Sequence, residues 1–277
     1  MRLLKQLIPV MLVGLIGGQI ATAVQDNEIL TLVVGLVTAA LTLVVYAATV
    51  RWSERREVTE LARKGIAVRL GVGMVVGTAL IGSVIANLAF LGDYEIDGKG
   101  SALGALGLVG FMAGAAVTEE VIFRGVLFRI IEERAGTYGS LVATAVLFGL
   151  WHMANPDATL FGAVAIAIEA GTMLAAAYAL TRSLWFTIGL HFAWNFTAAG
   201  IFSTVVSGNG DTEGLLRGTT SGPDLVTGGE FGPEGSLYAI GFGLLTAVVM
   251  MALAHRKGNV IPRGRGTRVA ATATLAQ

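Results

Sequence analysis

The stretch that decides the fold is an apolar run ending in two adjacent carboxylates. Residues 102–124 read ALGALGLVGFMAGAAVTEEVIFR, so Glu119 and Glu120 follow directly on a segment long enough to enter a bilayer. Placing one ionisable side chain at that depth costs about 2.5–3.5 kcal/mol on insertion scales, and such groups usually mark function. We therefore expect Glu119 and Glu120 to have partners elsewhere in the chain.

The composition predicts a polytopic membrane protein. Apolar residues make up 54% of the chain and charged residues 14%, with a mean hydropathy of +0.72, whereas soluble domains carry roughly 25% charged residues. The runs are continuous rather than alternating, which favours helices over a barrel. The predicted fold class is all-α, a bundle of about eight transmembrane helices within residues 1–256. The eight predicted spans are residues 7–24, 29–50, 68–91, 102–122, 138–153, 158–180, 183–203 and 236–254.

The charges of the connecting loops predict the orientation of this bundle. Lys and Arg collect on the cytoplasmic side of a membrane, and basic and acidic connections alternate along the chain. The clearest groups are Arg51, Arg55, Arg56, Arg63 and Lys64 after the second span, and Asp93, Glu95 and Asp97 after the third. We predict a multi-pass protein of the cell membrane with both termini cytoplasmic and a basic cytoplasmic tail over residues 257–277. An alternative for the first span is a cleaved signal peptide, because residues 21–23 read Ala-Thr-Ala.

Three further features limit the class of partner. Residues 204–235 are rich in Gly, Ser and Thr and contain Pro223 and Pro233, which predicts a mobile external loop. The net charge is zero, so nothing indicates a nucleic-acid partner. The chain has no cysteine, which excludes disulfides, thiol nucleophiles and cysteine metal ligands.

Two of the three histidines, His152 and His191, lie inside apolar spans. Histidine within a membrane normally faces the bundle interior and has a polar partner. His191 and Asn195 are four residues apart, so they share one helical face. We expect these side chains to be the partners of the two carboxylates.

The lengths of the fourth and fifth spans predict that Glu119 and His152 lie level. Gly136 is the expected helix stop between these spans, 17 residues after Glu119 and 16 residues before His152. At 1.5 Å per residue, both side chains lie about 24–25 Å from the turn of an antiparallel hairpin. His191 reaches the same level if the hairpin projects into the cytosol, so the predicted site faces the cytoplasmic side.

These residue types predict hydrolysis of an amide. A carboxylate with an imidazole can take a proton from water, and a second imidazole with an amide can stabilise an oxyanion by about 3–4 kcal/mol per donor. Glu119, His152 and His191 could instead hold Zn²⁺ with a water molecule in the fourth position. Residue types alone leave the metal-free and the zinc alternatives open.

Three motifs, in this order on separate predicted helices, resemble those of the CPBP family. This family comprises the CAAX protease and bacteriocin-processing enzymes, also called Abi proteins, which are intramembrane endopeptidases. The motifs lie within a predicted motif core, residues 102–203. They are Glu119-Glu120-x-x-x-Arg124, Phe148-x-x-x-His152 and His191-x-x-x-Asn195.

The resemblance implies a role for each motif residue. Glu119 and His152 would activate the water molecule, while His191 and Asn195 would stabilise the oxyanion. Glu120 completes the predicted catalytic set, although Glu120 and the arginine four residues later could also form a structural ion pair. The predicted supporting residues are Arg124 and Phe148. The implied substrate is a membrane-anchored peptide or protein in a lipid bilayer. The family has been described both as metalloproteases and as glutamate-dependent proteases, so the resemblance leaves the metal question open.

Two other classes of function remain as alternatives. A proton-coupled transporter also places carboxylates and histidines within the membrane, but such folds commonly contain inverted repeats, and we find no repeat in the sequence. A noncatalytic membrane partner or immunity protein could retain the same fold. Glu169, in the sixth predicted span, is expected to be an internal hydrogen-bonding group or to line the cavity.

Overall fold

The structure is a computed structural model that describes residues 1–264, and it is 76% helical. The helices are α1 (Arg2–Ala23), α2 (Glu28–Glu54), α3 (Ile66–Leu91), α4 (Ala102–Glu120), α5 (Arg129–Trp151), α6 (Leu160–Ile166), α7 (Thr172–Thr181), α8 (Leu184–Phe196), α9 (Asp224–Thr227) and α10 (Leu237–Arg256). Three π-helical segments continue α4, α6 and α8: Val121–Phe128, Ala167–Gly171 and Thr197–Ile201. Short 3₁₀ turns are Thr59–Leu61, His152–Ala154, Gly229–Phe231 and Pro233–Gly235.

Six helices within residues 1–264 are long and apolar enough to cross a membrane. The longest, Ala102–Ala154, has 53 residues and contains a break at Gly136, where the backbone turns with φ 72° and ψ 176°. This break is the predicted turn between the fourth and fifth spans. The predicted all-α membrane class is confirmed, whereas the number of eight spans and the cytoplasmic side of both termini stay predictions. Of the predicted tail, residues 265–277 lie outside the described part of the chain.

Glycine lets the central helices approach closely. A Cβ atom built on Gly35 of α2 would lie 2.0 Å from the carbonyl oxygen of Gly110 in α4. Small residues at such contacts are typical of helix packing in membranes, where close backbone approach replaces hydrophobic burial as the source of affinity. The α2–α4 contact therefore fixes the helix that carries Glu119.

A cluster of charged side chains lies at the end of the bundle where α1 begins. Arg129 donates to Glu54 Oε2 at 2.8 Å and to Gln6 Oε1 at 2.8 Å, which ties α5 to α2 and α1. Glu60 is 3% exposed and accepts from Tyr46 Oη at 2.5 Å and from Arg56 Nη2 at 2.7 Å. The connection between α2 and α3 is thereby bound to the bundle.

This cluster predicts a loss of stability in acid. Burial alone would raise the pKa of Glu60, but the hydrogen bonds from Arg56 and Tyr46 outweigh it and lower that pKa below its ordinary value of 4.5. Because the folded-state pKa is lowered, the stability that Glu60 contributes is complete above pH 4.5 and is lost as the pH falls below it. Thermal unfolding in detergent across this range should become less pH-dependent in Glu60→Gln. Glu57→Gln, at an exposed neighbouring carboxylate, should keep the wild-type profile; a wild-type profile in Glu60→Gln would contradict the prediction.

Residues 259–261 hold together two turns of the bundle. The backbone N–H of Thr137 donates to the carbonyl of Ile261 at 2.9 Å, and the backbone N–H of Ile261 donates to Thr137 Oγ1 at 2.8 Å. Asn259 Nδ2 donates to the carbonyl of Leu180 at 2.8 Å, while its own carbonyl accepts from Arg182 Nη2. The α4–α5 turn and the α7–α8 turn are thus connected by one short segment.

A two-stranded antiparallel sheet was not predicted. Strand β1 (Tyr94–Lys99) follows α3 and pairs with β2 (Leu216–Thr220), with an irregularity between Ile96 and Gly98. Tyr94 Oη donates to the carbonyl of Phe202 at 2.7 Å. This pairing joins the connection after α3 to the long segment after α8.

The glycine-rich segment 204–235 packs on the bundle. It contains β2, α9 and two 3₁₀ turns, and it buries Phe231 and Glu234 to 1% exposure each. The ring of Phe231 lies against Gly162 of α6, where a Cβ atom would be 2.5 Å from the ring. The predicted loop therefore has regular elements and a buried face, while its position outside the membrane stays a prediction.

Candidate active site

Two imidazoles converge on one carboxylate oxygen. Glu119 lies at the end of α4, His152 in the turn after α5 and His191 in α8. Nε2 of His152 and Nε2 of His191 each lie 3.9 Å from Glu119 Oε2. That oxygen is buried and has no hydrogen-bond partner within residues 1–264. The structure therefore brings together the three side chains that the sequence predicted, and Glu119 is level with His152 across the hairpin.

His152 is oriented by the backbone one turn earlier. Its Nδ1 lies 2.7 Å from the carbonyl oxygen of Phe148, and a carbonyl can only accept, so Nδ1 carries the proton. In this tautomer Nε2 carries no proton, and it is the nitrogen that lies 3.9 Å from Glu119 Oε2. The buried Phe148 ring contacts both imidazoles, with centroid distances of 4.6 Å to His152 and 6.0 Å to His191.

Glu120 orients the second imidazole. Its carboxylate is fully buried, and its Oε1 lies 3.0 Å from His191 Nδ1 and 2.8 Å from Arg124 Nη1. The Glu119 side chain, by contrast, is 15% exposed. The two adjacent carboxylates thus differ in their surroundings. Glu120 is enclosed by the Arg124 guanidinium and the His191 ring, whereas Glu119 is open to the site.

Arg124 is buried together with its carboxylate partner. Its Nη2 donates to the carbonyls of Gly171 at 3.2 Å and Ala170 at 3.4 Å, and its guanidinium carbon lies 4.8 Å from the centroid of the Phe148 ring. The predicted structural ion pair with Glu120 is present, and through Glu120 it also reaches His191. The structural and site-supporting interpretations are therefore compatible.

Asn195 lies one turn after His191, as its spacing predicts. It is 7% exposed, and its side-chain amide makes no hydrogen bond to any described residue. Together with His191 it lines a small cavity of about 10 Å³. Its amide is thus available to a group that enters the site.

Every predicted motif residue now has a position in one cluster. Residues 101–197 form an Rce1-like segment. They match the family model described as Rce1-like, type II CAAX prenyl endopeptidase. The predicted CPBP resemblance is confirmed for this segment, which is about a third of the chain and contains all three motifs. No curated protein matches the chain, and no solved structure matches it.

The first and third motifs of the Rce1-like segment adjoin irregular helix geometry. The π-helical segment Val121–Phe128 begins directly after Glu120, and the π-helical segment Thr197–Ile201 begins two residues after Asn195. Such wide turns occur often at functional sites. The sequence did not predict these π-helical segments. One inserted residue shifts the periodicity of a helix, and a uniformly apolar stretch has no alternation of polar and apolar residues that would reveal the shift.

A larger cavity of about 280 Å³ lies beside Glu119, which belongs to the Rce1-like segment. Its walls come from α1, α2, α4 and the turn after α5. Sequence reasoning missed this cavity, because α1 carries no chemical motif. Residues from α1 and its neighbours that line it include Gly14, Gly17, Gly18, Gly35, Thr38, Trp151 and Asn155.

The proposed zinc ligands do not fit a metal ion in this arrangement. Tetrahedral zinc with bonds of about 2.0–2.1 Å would separate its ligand atoms by about 3.3 Å, whereas both Nε2 atoms lie 3.9 Å from Glu119 Oε2. Within residues 1–264, no group of three or more His, Cys, Asp or Glu side chains is arranged to hold a metal. The spacing between Glu119 Oε2 and the two Nε2 atoms is therefore wider than the spacing of zinc ligands.

Glu169 lies within the Rce1-like segment, but its carboxylate makes no hydrogen bond to any motif residue. It is fully buried in the π-helical segment Ala167–Gly171, and neither carboxylate oxygen has a partner among the described residues. A Cβ atom built on Gly243 of α10 would lie 2.7 Å from the Cβ atom of Glu169. Glu169 lines neither of the two cavities described above. The prediction that Glu169 lines a cavity is therefore not supported for these two cavities.

Proposed function

We propose that this protein is an intramembrane endopeptidase that hydrolyses peptide bonds of membrane-anchored polypeptides. The observation that carries the proposal is the position of Glu119 Oε2, an unpartnered oxygen within 3.9 Å of two imidazole nitrogens and at the wall of a cavity. The match to a CAAX endopeptidase family supports this class of reaction.

In the first step, Glu119 and His152 activate water. The 3.9 Å separation between Oε2 and Nε2 allows one water oxygen to hydrogen-bond to both atoms at ordinary lengths of about 2.8 Å. The Glu119 carboxylate takes a proton from that water molecule while the water oxygen attacks the peptide carbonyl carbon. General-base catalysis of this kind contributes about 10²–10⁴-fold.

In the second step, His191 and Asn195 stabilise the oxyanion. A ring that donates from Nδ1 to Glu120 can also donate from Nε2 when it carries both protons, and the Glu119 and Glu120 carboxylates together balance the charges of that ring and of Arg124. The Asn195 amide supplies a second donor from the same helical face. Each such donor is worth about 3–4 kcal/mol to the transition state.

In the last step, the tetrahedral intermediate collapses and the C–N bond breaks. The leaving nitrogen takes the proton that Glu119 received from water and departs as an amine. The carbonyl carbon keeps the OH of that water as a carboxylic acid, which then loses its proton to solvent. One water molecule is consumed and the catalytic groups return to their starting protonation states. No step requires a metal ion.

The substrate is proposed to enter through the cavity of about 280 Å³ between α1, α2 and α4. Glycines on α1 form one wall, and Glu119 lies on another. An extended peptide with its scissile bond at Glu119 would place its neighbouring residues along the apolar wall. The CAAX description of the family makes prenylated chains one substrate class to test against unprenylated ones.

Blocking this cavity should weaken substrate binding. A Cβ on Gly18 meets no atom within 4 Å, so Gly18→Leu can add a side chain at the cavity without displacing backbone. We expect KM to rise about 10-fold or more, with kcat little changed because Glu119 and the histidines stay in place. Gly82→Leu on α3 is the matched control, since that position is equally open and lies outside the cavity. Equal KM values in the two variants would contradict the assignment.

The function is tested with purified protein in liposomes and membrane-anchored peptides, prenylated and unprenylated. We expect cleavage that His152→Ala abolishes and that persists in the presence of a metal chelator. Loss of cleavage on chelation, restored by added Zn²⁺, would replace the metal-free mechanism with a metal-dependent one. A folded wild-type protein that cleaves no peptide would refute the proposal, and proton-driven solute uptake would support the transporter alternative.

A further inference from the structure

We propose that Glu234 is a positioning residue of the active site, which sets the α8 helix relative to the turn that carries His152. The inference rests on the proposed function, because it assigns Glu234 a part in that reaction. Glu234 lies outside the three motifs and outside the Rce1-like segment, in the Pro233–Gly235 turn.

The burial of Glu234 is unexpected for its surroundings. The residue belongs to a polar, glycine-rich segment, yet it is 1% exposed. A carboxylate removed from water is costly unless it accepts hydrogen bonds. Both of its oxygens do so, from Trp194 and Ser207, and hydrogen bonds to an ionised acceptor are roughly twice as strong as neutral ones.

The first hydrogen bond reaches the helix of the oxyanion residues. Trp194 Nε1 donates to Glu234 Oε1 at 2.8 Å. Trp194 is 2% exposed and stands between His191 and Asn195 in α8, directly before Asn195. An indole that is packed on its faces and fixed at its N–H resists rotation of the helix about its axis. This bond therefore holds the face that presents His191 and Asn195.

The second hydrogen bond leads to the other catalytic element. Ser207 Oγ donates to Glu234 Oε2 at 2.6 Å, and the carbonyl of Ser207 accepts from Asn155 Nδ2 at 2.6 Å. Asn155 terminates the 3₁₀ turn that starts at His152. The two oxygens of one carboxylate thus connect to the water-activating turn and to the oxyanion helix.

Glu234 also borders the site directly. Glu234 and Ser207 line the cavity of about 10 Å³ that His191 and Asn195 line from the other side. A displacement of the Pro233–Gly235 turn would therefore change the space next to both oxyanion donors. Glu234 therefore helps to set the spacing between the two catalytic elements.

The test is Glu234→Gln, which keeps the size of the side chain but replaces one acceptor by a donor. Because small displacements of catalytic groups can cost up to about 10²-fold, we expect kcat to fall about 10- to 100-fold. KM should stay unchanged, since the larger cavity is untouched. Glu230→Gln, at an exposed carboxylate of the same segment, should retain wild-type kcat. A loss that appears only in KM, or no loss in a folded variant, would overturn the proposal.

A double-variant cycle tests the route through the indole. Trp194→Phe removes the N–H donor and keeps a large aromatic ring. If Glu234 acts through Trp194, the double variant loses less than the product of the two single losses, because the same bond cannot be lost twice. Multiplicative losses would overturn that route.

A third variant covers the case in which Glu234→Gln does not fold. Ser207→Ala removes only the second hydrogen bond, and we expect it to lower kcat in the same direction with KM unchanged. Wild-type kcat in both folded Ser207→Ala and folded Trp194→Phe would overturn the proposal. Wild-type protein and Glu119→Gln are measured in the same assay. Wild-type protein that cleaves nothing refutes the proposed function, whereas an active wild type with an equally active Glu234→Gln refutes only this inference.

Discussion

Glu119→Gln is expected to lower kcat by about 10²–10⁴-fold, because the amide cannot take a proton from water. Gln has the same shape as Glu, and the replaced oxygen makes no hydrogen bond within residues 1–264, so folding should be preserved. Initial rates of peptide cleavage in liposomes measure the effect, and thermal unfolding in detergent measures the folded state.

The control for this variant is Glu95→Gln, which removes an exposed carboxylate from β1. It should leave the cleavage rate unchanged. If Glu119→Gln retained more than a tenth of wild-type kcat, which exceeds the residual activity expected on loss of a general base, another group would have to activate the water. The proposed mechanism would then be wrong even if the protein were a protease.

Arg124→Met should have the largest effect on stability. Removing one partner of a buried ion pair leaves the other charge uncompensated and costs about 3–5 kcal/mol of unfolding free energy. Glu120 would then remain fully buried with His191 as its only hydrogen-bond partner among the described residues. Because Glu120 orients His191, cleavage should also fall. Denaturant unfolding in detergent measures the stability change.

The matched control for Arg124→Met is Glu133→Gln. Arg2 and Glu133 form an ion pair at 2.6 Å, but their side chains are 35% and 46% exposed. Exposed pairs contribute about 0–1 kcal/mol, so this variant should unfold nearly like wild type. Equal destabilisation by the two substitutions would contradict the distinction between a buried and an exposed pair.

The positions of the candidate active-site side chains could be predicted because they depend on local helix lengths. Gly136 interrupts the helix as expected, and nearly equal lengths on either side bring Glu119 level with His152. The four-residue spacing of His191 and Asn195 needs only helical geometry. The membrane class follows from hydropathy alone, since a continuous apolar run has few alternatives in a bilayer.

The missed features depend on contacts that are distant in sequence. Glu234 looks like one of several acidic residues in a polar loop, and only the fold reveals that Trp194, 40 residues earlier, donates to it. The β1–β2 pairing joins segments more than a hundred residues apart, and neither strand has an alternating pattern long enough to predict it. The cavity beside Glu119 depends on how α1 packs, which no motif encodes.

The segment around Asn259 and Ile261 has a consequence for biosynthesis. It lies after α10 in the chain, so a ribosome makes every helix of the bundle before it makes this segment. During translation the Glu132 side chain can already join the turns at Thr137 and Arg182, but the hydrogen bonds from residues 259–261 have not yet formed. The contact between the two turns is therefore complete only after synthesis has passed α10.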